Sequence, residues 1–127
     1  MITGLFSQPN YVAAKKLLDA AVLRHEAIAS NLANVETPNY KRMDVAPSFQ
    51  ADLQEAIKGQ NSGQLAAIEP HLETDSTALS NTRDGNSVQL EPELAKLNQN
   101  FLEHALNIQL VTGSLVKMRL AITGRPV

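Results

Sequence analysis

Two runs of residues, one near each end of the chain, recur at alternating steps of three and four. The first run is Tyr11, Ala14, Leu18, Ala21, His25, Ile28, Leu32 and Val35. Such steps bring all members to one side of an α-helix, and strict alternation is typical of a coiled-coil seam. The run predicts a helix over about residues 10–34, capped by Asn10. It would be roughly 37 Å long at about 1.5 Å per residue, which favours a partner along its whole length.

The second run lies towards the C-terminus. Its members are Leu90, Leu94, Leu97, Phe101, His104, Ile108, Val111, Leu115, Met118 and Ile122. Pro92 suits the first turn of a helix, and the acidic Glu91 and Glu93 suit its positive end. Because the two runs match in period and the chain returns between them, we expect helices over about 10–34 and 92–122 to pair antiparallel.

Further apolar and small residues lie outside these two seams. On the first helix Ala13, Ala20, Ala27 and Ala33 would let a second helix approach closely on another side. On the second helix an extra row is formed by Leu102, Leu106, Leu110 and Leu120. One partner helix needs only one seam, so this row either contacts another subunit or covers the short helix of the middle segment.

The segment between the two runs is less regular. Residues 43–45 predict a short extended piece rather than a core strand. Ser48 is placed to cap a short helix that ends at Gly59. The apolar face of that helix is Phe49, Leu53, Ala56 and Ile57.

Three stretches predict no regular structure. Residues 1–9 combine a short apolar piece with a proline, and residues 59–64 have the composition of a flexible loop. Residues 71–87 are polar and lack periodicity, and their one turn signal is Asp84-Gly85-Asn86. A long irregular stretch inside a compact domain tends to be functional or disordered.

These observations predict a mainly α fold in one domain. The two terminal helices form an antiparallel coiled coil, and an irregular middle segment contains a short helix. We divide the domain 1–127 into an N-terminal helix and turn over 10–40, a middle segment over 41–90 and a C-terminal helix over 91–123.

Between the first helix and the middle segment, residues 29–42 must end the helix and turn the chain. Pro38 lacks a backbone N–H and pushes Thr37 out of the helical region. Asn39 tolerates a positive φ and can replace glycine in a tight turn. Asn31, Asn34 and Thr37 have short side chains that can bond backbone groups freed at the helix end. A well-made helix stop would account for all of this.

Composition narrows the chemistry. The net charge is −2, which gives no sign of nucleic-acid binding. Cysteine is absent, so disulfides, thiolate metal sites and cysteine nucleophiles are excluded. His25, His71 and His104 are the only candidates for metal or catalytic chemistry, and no acidic or cysteine cluster joins them. We therefore expect no enzyme activity, no cofactor and no small-molecule substrate. The first residues do not have the pattern of a cleaved signal peptide.

The stretch Ser30-Asn31-Leu32-Ala33-Asn34-Val35-Glu36-Thr37-Pro38-Asn39-Tyr40-Lys41, at the end of a heptad helix, resembles the N-terminal signature of bacterial flagellar rod and hook proteins. That family usually has Thr-Pro-Gly-Tyr at the turn, and Asn39 replaces the glycine here. Residues 84–91 and 93–100 resemble the proximal rod members, and the short chain agrees with that. The matching turn positions are Ser30, Asn31, Asn34, Thr37, Pro38 and Tyr40.

The resemblance implies a structural subunit of the proximal rod, exported without a cleaved signal and polymerised into a tubular driveshaft around the export channel. The implied partners are other rod proteins, copies of itself, the membrane-embedded ring and the export gate. The predicted assembly seam is Leu18, Ile28, Leu32, Leu94, Leu97, Phe101, Ile108, Val111, Leu115 and Met118. A cytoplasmic coiled-coil adaptor or export chaperone is the alternative.

Overall fold

Two long antiparallel helices carry the fold, and the segment between them packs against the first. The computed structural model describes residues 8–80 and 82–125. The elements in chain order are α1 (Pro9–Ala33), β1 (Met43–Val45), α2 (Pro47–Lys58), α3 (Ser62–Ala67), β2 (Leu72–Thr74) and α4 (Leu90–Thr123). The prediction of a mainly α fold with two long terminal helices is confirmed.

The first helix begins one residue earlier than predicted. Pro9 occupies its first turn, where its missing N–H costs nothing, and Gln8 precedes it without a side-chain capping bond. The prediction of Asn10 as the cap is therefore wrong. Of the irregular stretch predicted over 1–9, residues 1–7 lie outside the described residues.

One side of α1 forms the hydrophobic core together with the middle segment. Ala13 and Ala20 of α1 are buried there. Their small side chains allow the larger core residues to come close to the helix backbone. These larger residues include Val45, Phe49, Leu53 and Leu65. The small alanine side chains of α1 and the large apolar side chains of the middle segment together fill the core between them.

The other side of α1 packs against α4, through a different row of α4 than the predicted one. The buried positions of α4 are Glu93, Asn100, Asn107 and Met118. Glu93, Asn100 and Asn107 are seven residues apart and precede by one residue the predicted seam members Leu94, Phe101 and Ile108, which are exposed. The prediction that this row pairs with α1 is thus wrong for half of its heptad positions, because α4 is rotated by about one residue about its axis. The helix contact is more polar than the sequence pattern indicates.

The middle segment is more ordered than predicted. Residues 43–45 form a strand that pairs antiparallel with β2, with Val45 opposite Leu72, and Val45 is buried in the core. Helix α2 starts at Pro47, and the residue at its N-cap position is Ala46. The prediction of Ser48 as the cap is therefore wrong. The loop predicted over residues 59–64 is wrong for its last three residues, because α3 begins at Ser62. Asn61 caps that helix by accepting a bond from the N–H of Gln64 at 3.1 Å.

Candidate assembly site

The turn after α1 is held by side chains bound to the helix end. Asn34 Nδ2 donates to the carbonyl oxygen of Ser30 at 2.8 Å. The hydroxyl of Thr37 donates to Asn34 Oδ1 at 3.1 Å, and its N–H donates to the carbonyl oxygen of Asn34 at 3.0 Å. These bonds satisfy groups that the last helical turn leaves free. The direction in which the chain leaves α1 is therefore fixed.

Asn31 lies in the same turn, but its side chain binds strand β1 instead of its own helix end. Its Oδ1 accepts from the N–H of Met43 at 2.9 Å, and its Nδ2 donates to the carbonyl oxygen of Met43 at 2.9 Å. The amide thus pairs with the strand as a neighbouring backbone would. Nδ2 also donates to Glu93 Oε1 at 2.8 Å. The expectation that Asn31 bonds the freed helix end is wrong, and the residue instead joins α1, β1 and α4.

Tyr40 closes the turn over α1. Its hydroxyl lies 3.0 Å from Ser30 Oγ and donates to Asn31 Oδ1 at 3.3 Å. Pro38 is exposed at the outer side of the turn. The signature residues therefore form one connected group around the end of α1, apart from this proline.

Two residues with positive φ meet where the turn contacts the segment before α4. Asn39 has φ 61°, and its N–H donates to the carbonyl oxygen of Asp84 at 2.8 Å. Gly85 has φ 77°, and a Cβ at this position would lie 2.5 Å from Asn39 Oδ1. Asn39 thus adopts the conformation expected for the residue that replaces glycine, and Gly85 is needed opposite it.

Asn86 fastens this segment to the end of α1. Its Nδ2 donates to three carbonyl oxygens, those of Asn34 at 2.8 Å, Val35 at 3.0 Å and Thr37 at 2.8 Å. Its Oδ1 accepts from the N–H of Val88 at 2.7 Å. Asn86 is buried and was predicted only as part of a turn. Local sequence gave no sign of partners about fifty positions away.

A buried ion pair joins the turn to α4. Arg42 and Glu93 are 3% and 1% exposed, and Arg42 Nε donates to Glu93 Oε2 at 2.8 Å. Arg42 Nη1 donates to Asp44 Oδ2 at 2.9 Å and to Asp75 Oδ2 at 2.7 Å. Burial lowers the pKa of Arg42, but the bonds to Glu93 and Asp44 outweigh it and raise that pKa above its usual value. The guanidinium therefore stays charged and holds three segments together. We name Asn31, Arg42, Asp44, Asp75 and Glu93 the polar clasp.

Arg24 extends the polar clasp along α1. Its Nε lies 3.3 Å from Asp44 Oδ1, and its Nη1 lies 3.1 Å from Glu103 Oε2 on α4. Because these groups are only partly buried, we expect that breaking either of these two ion pairs costs less stability than breaking the buried Arg42–Glu93 pair.

Asp75 makes part of the clasp sensitive to acid. Burial raises its pKa, but the bonds from Thr77 and then from Arg42 outweigh this and hold the pKa below its usual value of 3.8. A carboxylate with a lowered folded-state pKa stabilises the fold above its unfolded-state pKa, and this stabilisation is lost as the pH falls through the folded-state pKa.

We expect Asp75→Asn to reduce the free energy of unfolding by about 1–3 kcal/mol at pH 7, because it weakens bonds to a charged partner. The difference from the wild type should shrink below about pH 4. Urea unfolding at several pH values measures both quantities. Asp52→Asn, on the exposed side of α2, is the matched control. A loss that is independent of pH would contradict the assignment.

The structure divides the predicted assembly seam into two groups. Ile28 and Met118 are buried, and Leu18, Leu32, Leu97 and Val111 are half-buried within the chain. Leu94, Phe101, Ile108 and Leu115 are exposed, with Phe101 61% exposed. The first group is already used inside one subunit. The second group forms an outward strip on α4, which we call the outer seam, and its role in assembly stays a prediction.

The extra row of leucines on α4 is also exposed. Leu102 and Leu106 are 74% and 60% exposed, and Leu110 and Leu120 are nearly half exposed. The short helix α2 therefore does not cover this row, which was one of its two possible explanations. The other, contact with a further subunit, stays open.

The histidines do not form a cluster with carboxylates. His25 packs edge-on against Phe101, with ring centroids 5.9 Å apart. Both of these rings and His104 line a small cavity of about 180 Å³. His71 is exposed and lies beside Glu73. In the part of the chain that the structure describes, no three His, Cys, Asp or Glu side chains are placed to hold a metal ion. Within residues 8–80 and 82–125, no helix is both long and apolar enough to cross a membrane.

Comparison with known proteins gives a consistent result. The chain is 33% identical to the flagellar basal body rod protein FlgB of Borrelia hermsii, across 76% of this chain and 84% of that protein. It is 30% identical to the protein of the same name from Bacillus subtilis, across 84% and 88% of the two chains. The protein of that name from Aeromonas hydrophila is 29% identical, across 80% and 83%. No family model matches the chain.

Proposed function

Since the chain belongs to the family of flagellar basal body rod proteins FlgB and is a component of the basal-body rod, we propose that it polymerises through its terminal helices into the proximal rod. In this proposal the assembled helices surround the export channel and transmit torque, and motility depends on them. The role is structural and involves no catalysis.

The observation that supports polymerisation is the apolar surface of α4. Eleven large apolar residues of this one helix are at least 40% exposed, from Leu90 to Ile122. Monomeric soluble proteins rarely expose continuous apolar surface on this scale, and larger patches mark interaction sites. The side of α4 that faces α1 is instead lined by Glu93, Asn100 and Asn107. The helix thus keeps most of its leucines for contacts outside the subunit.

The proposed partners are other rod proteins, copies of the same chain, the membrane-embedded ring and the export gate. The proposed site of action is the periplasmic rod, reached by export without a cleaved signal. Torque would be carried by many interlocked helices rather than by a single site.

Purification of basal bodies tests the assignment directly. A functional epitope-tagged chain should copurify with the rod and should be absent from mutants that lack the export apparatus. If the chain stays in the cytoplasm and is missing from intact basal bodies, it is an adaptor or export chaperone and the rod proposal is wrong.

The turn contacts predict a separation between two mutations. Pro38→Ala should be mild, because Pro38 is exposed and the side-chain bonds of the turn remain. The double replacement Asn34→Ala with Thr37→Ala removes two bonds that fix the chain exit and should cost about 1–3 kcal/mol of stability. Swimming assays and rod density in basal bodies measure the outcome. Normal motility in the double variant would indicate that the signature serves another purpose, such as export.

A further inference from the structure

Helix α4 contains a run of four residues that favour a helix poorly. The run is Val111-Thr112-Gly113-Ser114, in a helix that extends from Leu90 to Thr123. Valine, threonine and serine favour a helix less than leucine or alanine does, and glycine favours it still less. The hydroxyl of Ser114 also donates to the carbonyl oxygen of Leu110 at 3.0 Å, a type of bond that often bends helices. Because sharp kinks occur at glycine and serine pairs, α4 bends most easily at this run.

Packing inside the subunit does not explain Gly113. A Cβ added there would meet no atom within 4 Å, so no neighbouring side chain requires a glycine at this position. Gly113 and Ser114 line an open groove of about 380 Å³, which Ala13, Ala14 and Leu17 of α1 also line. The groove leaves room for α4 to change its position relative to α1 at this level.

The two parts of α4 on either side of the run are attached to the subunit differently. In the first part, the side chains that bond other elements are Glu93, Asn100 and Glu103. Of the four buried residues in the described α4, three precede Gly113 and only Met118, which is 5% exposed, follows it. The last part of the helix is therefore fixed mainly by one apolar side chain.

We propose that residues 111–114 are a hinge, about which residues 115–123 pivot while the first part of α4 stays fixed. Met118 is the latch of this hinge, and the last part turns when its side chain leaves the subunit. The pivot changes the direction of Leu115, Leu120 and Ile122 relative to the apolar residues before the hinge. One subunit then presents its outward apolar surface at more than one angle. The proposal concerns the free subunit and does not rest on the rod function.

Spin labels on the purified chain test the motion, since the chain contains no cysteine of its own. A label at Asp52→Cys on α2 is combined with a second label at Arg119→Cys, beyond the hinge, or at Ala105→Cys, before it. All three positions are exposed. Double electron–electron resonance, with the labelled chain diluted in unlabelled chain, gives the distribution of each distance. The distribution from position 52 to position 119 should be wider than that from position 52 to position 105.

Two variants separate a hinge from other causes of a wide distribution. Gly113→Ala with Ser114→Ala should narrow the distance from position 52 to position 119, because alanine strengthens the helix there. Met118→Ala should widen it further, and the distance to position 105 should stay narrow in both variants. Equal widths for the two label pairs in the otherwise unchanged chain would overturn the proposal. A wide distribution that Gly113→Ala with Ser114→Ala leaves unchanged would overturn it as well.

Amide hydrogen exchange, measured residue by residue by NMR, tests the location of the hinge. Bending opens the helical hydrogen bonds that cross the run, so protection should be lowest at residues 114–117 and higher on both sides. Gly113→Ala with Ser114→Ala should raise protection there about tenfold, from the combined helix preference of alanine over glycine and serine. Protection that falls steadily from Gly113 to Thr123 would show fraying of the helix end, and this result would contradict a hinge.

Discussion

Glu93→Ala is expected to reduce the free energy of unfolding by about 3–5 kcal/mol, the largest effect of any single substitution considered for this fold. The carboxylate is 1% exposed and binds Arg42 through two nitrogen atoms, at 2.8 and 3.4 Å. It also accepts a bond from Asn31. Its removal leaves a buried guanidinium with only the partners at its outer side, Asp44 and Asp75. Urea unfolding followed by circular dichroism measures the loss.

Two further variants separate charge from packing at this position. Glu91→Ala, two residues earlier on the exposed side of α4, should change stability by less than about 0.5 kcal/mol. Replacing the pair together, Arg42→Met with Glu93→Leu, should recover much of the loss, because apolar residues often substitute for a buried ion pair without cost. A Glu93→Ala variant as stable as the Glu91→Ala control would show that the clasp does not hold the fold.

The sequence was sufficient to predict the two long helices, because each has many turns of regular spacing and the structure places them within two residues of the expected ends. It was not sufficient to predict which row of α4 faces α1. A hydrophobic pattern assumes that the most apolar row is buried inside the same chain. Here α1 presents alanines and Asn31 to α4, and the buried row contains Glu93 and Asn100, whose partners lie on other elements.

The polar clasp was not predictable for a related reason. Glu93 had an adequate local explanation as an acidic residue in the first turn of a helix. Its actual partners, Asn31 and Arg42, are 62 and 51 positions away. The short middle elements, with three-residue strands and a six-residue α3, are below the length at which periodicity identifies secondary structure. By contrast, the turn at Asn39 was predictable, because its conformation depends on the residue itself.

Ile108→Asp is expected to abolish rod assembly and swimming while leaving the isolated subunit folded. Ile108 is 42% exposed on the outer seam, so an aspartate there stays hydrated in the free subunit. In an assembled rod the same carboxylate would be buried against an apolar neighbour without a partner, at a cost of several kcal/mol. Soft-agar motility and basal-body density report assembly, and urea unfolding of the purified subunit reports the fold.

Leu97→Asp is the informative comparison, because Leu97 belongs to the same predicted seam but is half-buried against α1. This variant should lose motility together with stability, since its charge enters the subunit itself. Leu79→Asp, at a leucine that is 72% exposed and lies outside α4, should retain both. If Ile108→Asp cells swim normally, the outer seam does not take part in assembly. If the purified Ile108→Asp subunit is unfolded, Ile108 is needed for the fold of the single subunit, and its exposure is not evidence of a contact with other subunits.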